Sequence, residues 1–180
     1  MPSDRPVSDH APPHPSAIRR TLALVGVDFA PGPRQPSMIR VALATVASLV
    51  GSLAADALLV VLGTAVFPST KEYVHFHFQD YARLTTVGVI IACAAWPVVT
   101  RVSSRPRWLF LRLAILVTIV LLAPDLWILV QGQPPKAVGV LVLMHLAIAL
   151  VTYNCLVHIA RVPTESDPRP ADERTASSRD

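Results

Sequence analysis

Along this chain, stretches almost without charge alternate with short connections where the charges collect. Four apolar runs stand out, at about 39–67, 84–100, 108–130 and 137–159. A helix needs roughly 20 apolar residues to cross a hydrocarbon layer about 30 Å thick. Helices also satisfy their own backbone N–H and C=O groups, which lipid cannot do. The pattern therefore predicts an all-α fold: an integral membrane four-helix bundle over residues 38–160. The second run is short for a full crossing unless the turn before it extends the helix. Gly132, Pro134 and Pro135 leave little slack between the last two runs, so these are expected to form an antiparallel hairpin.

The flanks read differently. Residues 1–37 carry eight prolines (Pro2, Pro6, Pro12, Pro13, Pro15, Pro31, Pro33 and Pro36) among scattered charges. Such a segment buries too little apolar surface to offset its ordering entropy and is expected to be disordered. The tail at 161–180 is rich in Pro, Ser and charge, with the same expectation. Arg19 and Arg20 before Leu22–Val27 imitate a twin-arginine signal, but the run stops at Asp28 without a small-residue cleavage site. A removable signal is not expected there.

Composition sharpens the membrane reading. Hydrophobic residues make up 52% of the chain and charged ones only 16%, against about a quarter charged in soluble domains. The net charge of +4 is no nucleic-acid signature, because the basic residues border the apolar runs and no basic stripe interleaves with aromatics. Their distribution instead predicts orientation. Arg5, Arg19, Arg20, Arg34, Arg40, Arg101, Arg105, Arg107, Arg112, Arg161, Arg169, Arg174 and Arg179 fall on one side, and only Lys71, Arg83 and Lys136 on the other. Lys and Arg accumulate on the cytoplasmic side, so both termini are expected there. The excess of Arg over Lys, with abundant Ala, Val and Pro, matches GC-rich codons and points to a bacterial plasma (inner) membrane. Cys93 and Cys155 sit in separate apolar runs rather than in a C-x-x-C pair, so they read as small buried hydrophobes.

Charged groups inside a membrane helix cost roughly 2.5–3.5 kcal/mol on insertion scales, so Asp56, Asp125 and His145 need a reason to be there. At about 1.5 Å per residue they lie roughly 16, 8 and 12 Å from the predicted outer ends of the first, third and fourth spans. All three thus fall in the outer half of the bilayer. Thr45, Ser48, Ser52 and Asp56 share one face of the first span, with Ala47, Gly51 and Ala55 as a small-residue ridge beside them. Thr152 shares a face with His145, and Thr118 with Asp125, each pair seven residues apart. Pro124 frees the carbonyl of Val120 near Asp125. Asp56, Asp125, His145, Ser52 and Thr152 are therefore the candidate polar cluster. One reading is a water-accessible carboxylate–imidazole site for a cation or a proton-coupled substrate. The other is a buried hydrogen-bond network that fixes helix packing.

Residues 68–83 hold Glu72, His75, His77 and Asp80 among the aromatics Tyr73, Phe76, Phe78 and Tyr81. His75 and His77 would share a face only on a strand, and no third ligand is suitably spaced, so they are weak metal candidates. An interfacial segment with aromatics at headgroup level is the stronger expectation. Trp96 and Trp108 read as interfacial anchors, with a kink at Pro97. Asn154 and His158 lie near the cytoplasmic boundary on the opposite face from His145. A haem clamp needs facing histidines on separate spans, and only the fourth span carries any. No cofactor is expected.

Three segments carry a family resemblance: the Arg-rich inner loop RVSSRPRWLFLRLA, the Pro-Asp pair in LLAPDLWILV, and LVLMHLAIAL at the start of the fourth span. Over about residues 40–160 the chain resembles a family of small four-span bacterial membrane proteins of unknown function from high-GC Gram-positive lineages. That resemblance implies the fold and no activity. An enzyme is not expected, since H-E-x-x-H, G-x-S-x-G and phosphate-cradling glycine loops are all missing. Besides the lipid bilayer, the partners to consider are a second copy of the chain, as in a small proton-coupled transporter, or a larger membrane complex to which it is an accessory subunit.

Overall fold

The computed structural model describes residues 35–71, 73 and 76–162. Among the described residues, four α-helices follow in order: α1 (Met38–Val66), α2 (Phe78–Val102), α3 (Pro106–Val130) and α4 (Pro135–Ile159). A 3₁₀ turn, η1 (Pro68–Thr70), follows α1. Each helix is long and apolar enough to cross a membrane, and the chain is a multi-pass membrane protein. The residues expected to form the two tails, 1–34 and 163–180, lie outside the described ones.

Local chemistry sets the helix ends. Ser37 caps α1, its hydroxyl accepting from the Arg40 N–H at 3.3 Å. Just before it, Gln35 and Thr100 exchange two hydrogen bonds that tie the entry of α1 to the end of α2. The hairpin between α3 and α4 forms as Gly132 and the two prolines predict. Gly132 takes a left-handed φ of 86°, and the Gln133 N–H reaches back to the Ile128 carbonyl at 3.2 Å. That bond closes the helix in a Schellman-type turn. Pro135 then opens α4 at a position where its missing N–H costs nothing.

The second helix departs from its expected 84–100 range and begins at Phe78. Hydropathy marks where a helix enters hydrocarbon, not where its backbone begins to wind. Gln79, Asp80 and Arg83 are exposed on the first two turns, so the polar residues that imitate a loop are a solvated helix start. Pro97 is tolerated within the helix.

Packing is uneven. α1 and α4 make the most extensive contact of any two helices, and α3 packs mainly on α4. Ala44, Ser48, Ser52 and Asp56 are buried on α1, and Tyr81, Thr85, Val89 and Cys93 on α2. Both stripes repeat every four residues, the spacing of one helix face. On α3 only Leu109, Phe110 and Asp125 are buried, so nearly all of that helix faces outward. At the end where both described termini lie, Trp96 is 1% exposed and donates from its indole nitrogen to the Ala160 carbonyl at 2.9 Å. Its ring meets Phe110 edge-on, and Phe110 stacks on Tyr153. Trp96 is thus a core residue and not the expected interfacial anchor, because the indole N–H finds its acceptor inside the bundle. Trp108 is half-exposed, with the Arg112 guanidinium 3.0 Å from its ring centroid, an amphipathic arrangement suited to a headgroup boundary.

Candidate functional site

Each helix turns one polar side chain or more toward the bundle in the half nearer the α1–α2 connection. Asp56, near the middle of α1, is fully buried. Thr85 on α2 donates its hydroxyl to Asp56 Oδ2 at 2.6 Å, the length of a hydroxyl bound to a carboxylate. His145 on α4 is close enough to act electrostatically on the same carboxylate.

A second pair joins α3 to α4. Asp125 Oδ2 lies 3.1 Å from His145 Nδ1, with the histidine side chain 27% exposed and the aspartate 9%. The same ring nitrogen is 3.0 Å from the Leu141 carbonyl. A carbonyl can only accept, so in this contact Nδ1 is the donor to Leu141, with the Asp125 carboxylate beside it at ion-pair distance. Tyr73, from the connection between α1 and α2, completes the group. Burial raises its phenol above the ordinary value, and the nearby charge of Asp125 raises it further. Tyr73 therefore stays a neutral hydroxyl near Asp125 at physiological pH.

Toward the middle of the bundle the polar face of α1 continues as a buried column. Ser48 and Ser52 are fully buried and Thr152 on α4 is 4% exposed. Among the described residues, Ser48 Oγ, Ser52 Oγ, Asp56 Oδ1 and Thr152 Oγ1 have no hydrogen-bond partner. A buried group left so costs about 1–3 kcal/mol. On the next turn of α1, Thr45 donates to the Val41 carbonyl at 2.9 Å, and Thr45 and Ser48 lie near the Cys93 thiol.

The sequence-predicted residues thus divide. Asp125 and His145 are in direct contact, with Asp56 in electrostatic range of His145, and Ser52 and Thr152 are buried deeper on the same two helices. Thr118, expected to share the Asp125 face, is half-buried and donates to Ala114 on its own helix. His77 is exposed at the start of α2, and His75 lies outside the described residues. No three of His, Cys, Asp or Glu converge as metal ligands among the described residues. Asp80 points to solvent, whereas Tyr81 is buried, as expected of two successive positions on a helix. Thr85 and Tyr73 are additions that the sequence reading missed. For Thr85 the signal was available in the spacing of Tyr81, Thr85, Val89 and Cys93, once α2 is known to start at Phe78. For Tyr73 there was none, because a connection has no periodicity to read.

A family model described as a family of unknown function, DUF6069, matches residues 30–161. The chain belongs to that family. No curated protein and no solved structure matches it. The DUF6069 match covers all four helices, Tyr73 and every described residue of the polar group. Membership in DUF6069 therefore fits the four-helix architecture and assigns no chemistry to it.

Proposed function

We propose that this protein is a non-enzymatic, proton-exchanging membrane carrier or receptor for a cationic solute, built around Asp125, His145 and Asp56. The observation that carries this reading is the convergence of three ionisable side chains from three different helices, two of them in direct contact at 3.1 Å. Packing alone rarely needs ionisable groups from three helices, since each is costly in hydrocarbon. In this reading both termini lie in the cytoplasm, as the Lys and Arg distribution favours. The site then opens toward the outside of a bacterial plasma membrane, beneath the connection that carries Tyr73. His145 takes up or releases the proton, and the two carboxylates compensate its charge.

Reconstitution tests this. Vesicles containing the protein should move protons or a cationic dye under an imposed pH gradient, and Asp125→Asn and His145→Gln should each reduce that flux at least tenfold. Vesicles in which neither protons nor dye move above the protein-free rate would exclude transport, and unaltered flux in both variants would exclude this site.

One observation favours a second reading, that of an accessory subunit. Ile115, Leu116, Val117, Ile119, Val120 and Leu126 on α3 are all more than half exposed, a surface that another membrane helix could cover. The small-residue ridge of α1 is not such a surface, because Gly51 on that ridge lies against Val151 of α4.

A further inference from the structure

Asp56 Oδ1 is buried without a hydrogen-bond partner, although its companion Oδ2 is held by the Thr85 hydroxyl at 2.6 Å. The buried hydroxyls of Ser48, Ser52 and Thr152 carry protons of their own, whereas an ionised carboxylate oxygen only accepts. Oδ1 is therefore the atom of this column that calls for a donor, since a buried charge is destabilising unless it is paired. The ionisable groups in electrostatic range of Asp56 are Tyr81 on α2 and His145 on α4, with Asp125 of α3 beyond the imidazole. Register brings the imidazole to the required level. Gly51 lies against Val151 and Gly63 against Val140, so α1 and α4 run antiparallel with His145 within one turn of the level of Asp56. The same helix packs on α3, where His145 meets Asp125 at 3.1 Å.

We propose that His145 has two positions, paired with Asp125 in one and with Asp56 Oδ1 in the other, and carries a proton between the two carboxylates. This rests on the proton-exchange reading above and goes further, by giving the proton a route and making Asp56 its deeper station. The structure shows the first position. The imidazole reaches the second by turning about its own side-chain bonds, and its 27% exposure leaves it room on one side. There the imidazolium gives a ring proton to Oδ1, leaving a neutral imidazole and a neutral carboxylic acid. The same step run backwards ionises Asp56 again. Departure of the imidazolium removes one positive charge from beside Asp125, which a cationic solute replaces. Thr85 is the positioning residue: by holding Oδ2 it leaves Oδ1 as the oxygen to be protonated.

The full-length protein in lipid nanodiscs tests this by time-resolved infrared spectroscopy after a rapid pH drop, which records each carboxylic acid by its carbonyl band. One band should be absent in Asp56→Asn, shifted in Thr85→Val and restored in Thr85→Ser. That band should rise at least tenfold more slowly in His145→Gln. In vesicles, Asp56→Asn should lower proton flux at least tenfold and Thr85→Val about threefold. Thr85→Ser should stay near the wild-type flux, and Thr85→Val should add nothing to Asp56→Asn, because the threonine acts through that carboxylate. Wild-type vesicles that move neither protons nor dye would remove the carrier reading alone, since the infrared kinetics still decide the exchange of partners. An Asp56 band that rises equally fast in wild type and His145→Gln would overturn that exchange. Full proton flux in a folded Asp56→Asn protein would overturn it as well.

Discussion

Replacing His145 with leucine should destabilise the bundle by about 3 kcal/mol, the lower end of the range for removing one partner of a buried ion pair. The lower end applies because the imidazole is 27% exposed. The loss comes mainly from what is left behind. Asp125 would keep its place on α3 with its imidazole donor gone, in surroundings that cannot solvate a carboxylate. Asp125→Leu should cost a similar amount by leaving the Nδ1–H of His145 with only the Leu141 carbonyl. The double variant should recover most of both losses, because two apolar side chains of suitable size can replace a buried pair nearly neutrally. Unfolding of all four proteins in mixed micelles gives the coupling energy directly. If the two losses simply add in the double variant, the Asp125–His145 contact contributes nothing as a pair. The effect should be concentrated in α3, whose C-terminal half is held inward by this one buried residue.

The other large effect lies where α1 meets α4. A Cβ on Gly63 would sit 2.7 Å from Val140 Cγ2 and 3.2 Å from Val140 Cγ1. Gly63→Leu therefore has to push the helices apart, at a cost of about 3 kcal/mol, the upper end for overpacking. Gly63→Ala should cost less, because Val140 can turn out of the way, and Val140→Ala in the same chain should restore it. Thermal unfolding of the three variants would check this. A Gly63→Leu protein as stable as the wild type would mean that α1 and α4 do not pack as closely as described. Such a shift would also disturb the polar column, since Ser52, Asp56 and Thr152 depend on the same two helices for their spacing.

How much of this could be read from the sequence depended on periodicity. Four apolar runs of helical length were enough for the architecture, and the spacing of Ser48, Ser52 and Asp56 was enough to place them on one buried face. Asp125 and His145 were legible as ionisable groups at similar depth. Their direct contact was not, because no pattern within one helix specifies the rotation of its neighbour. The start of α2 was obscured by Gln79, Asp80 and Arg83, whose polarity resembles a loop although they wind as a helix. Trp96 was misread for a related reason: tryptophan near a span end suits an interface, and only the Ala160 carbonyl across the bundle makes it a core residue. Tyr73 reaches Asp125 from a connection, where side-chain direction follows no repeat.

A carrier or receptor site at the Asp125–His145 pair requires that water reach the pair from the side opposite the described chain ends. In a background lacking Cys93 and Cys155, single cysteines would replace residues 56, 125 and 145, and intact cells would be treated with a membrane-impermeant thiol reagent. A solvent-reachable site predicts labelling at 125 and 145, with slower labelling at the more deeply buried 56. No labelling at 125 or 145, in protein shown to be folded and inserted, would contradict it and leave a sealed network that serves packing alone.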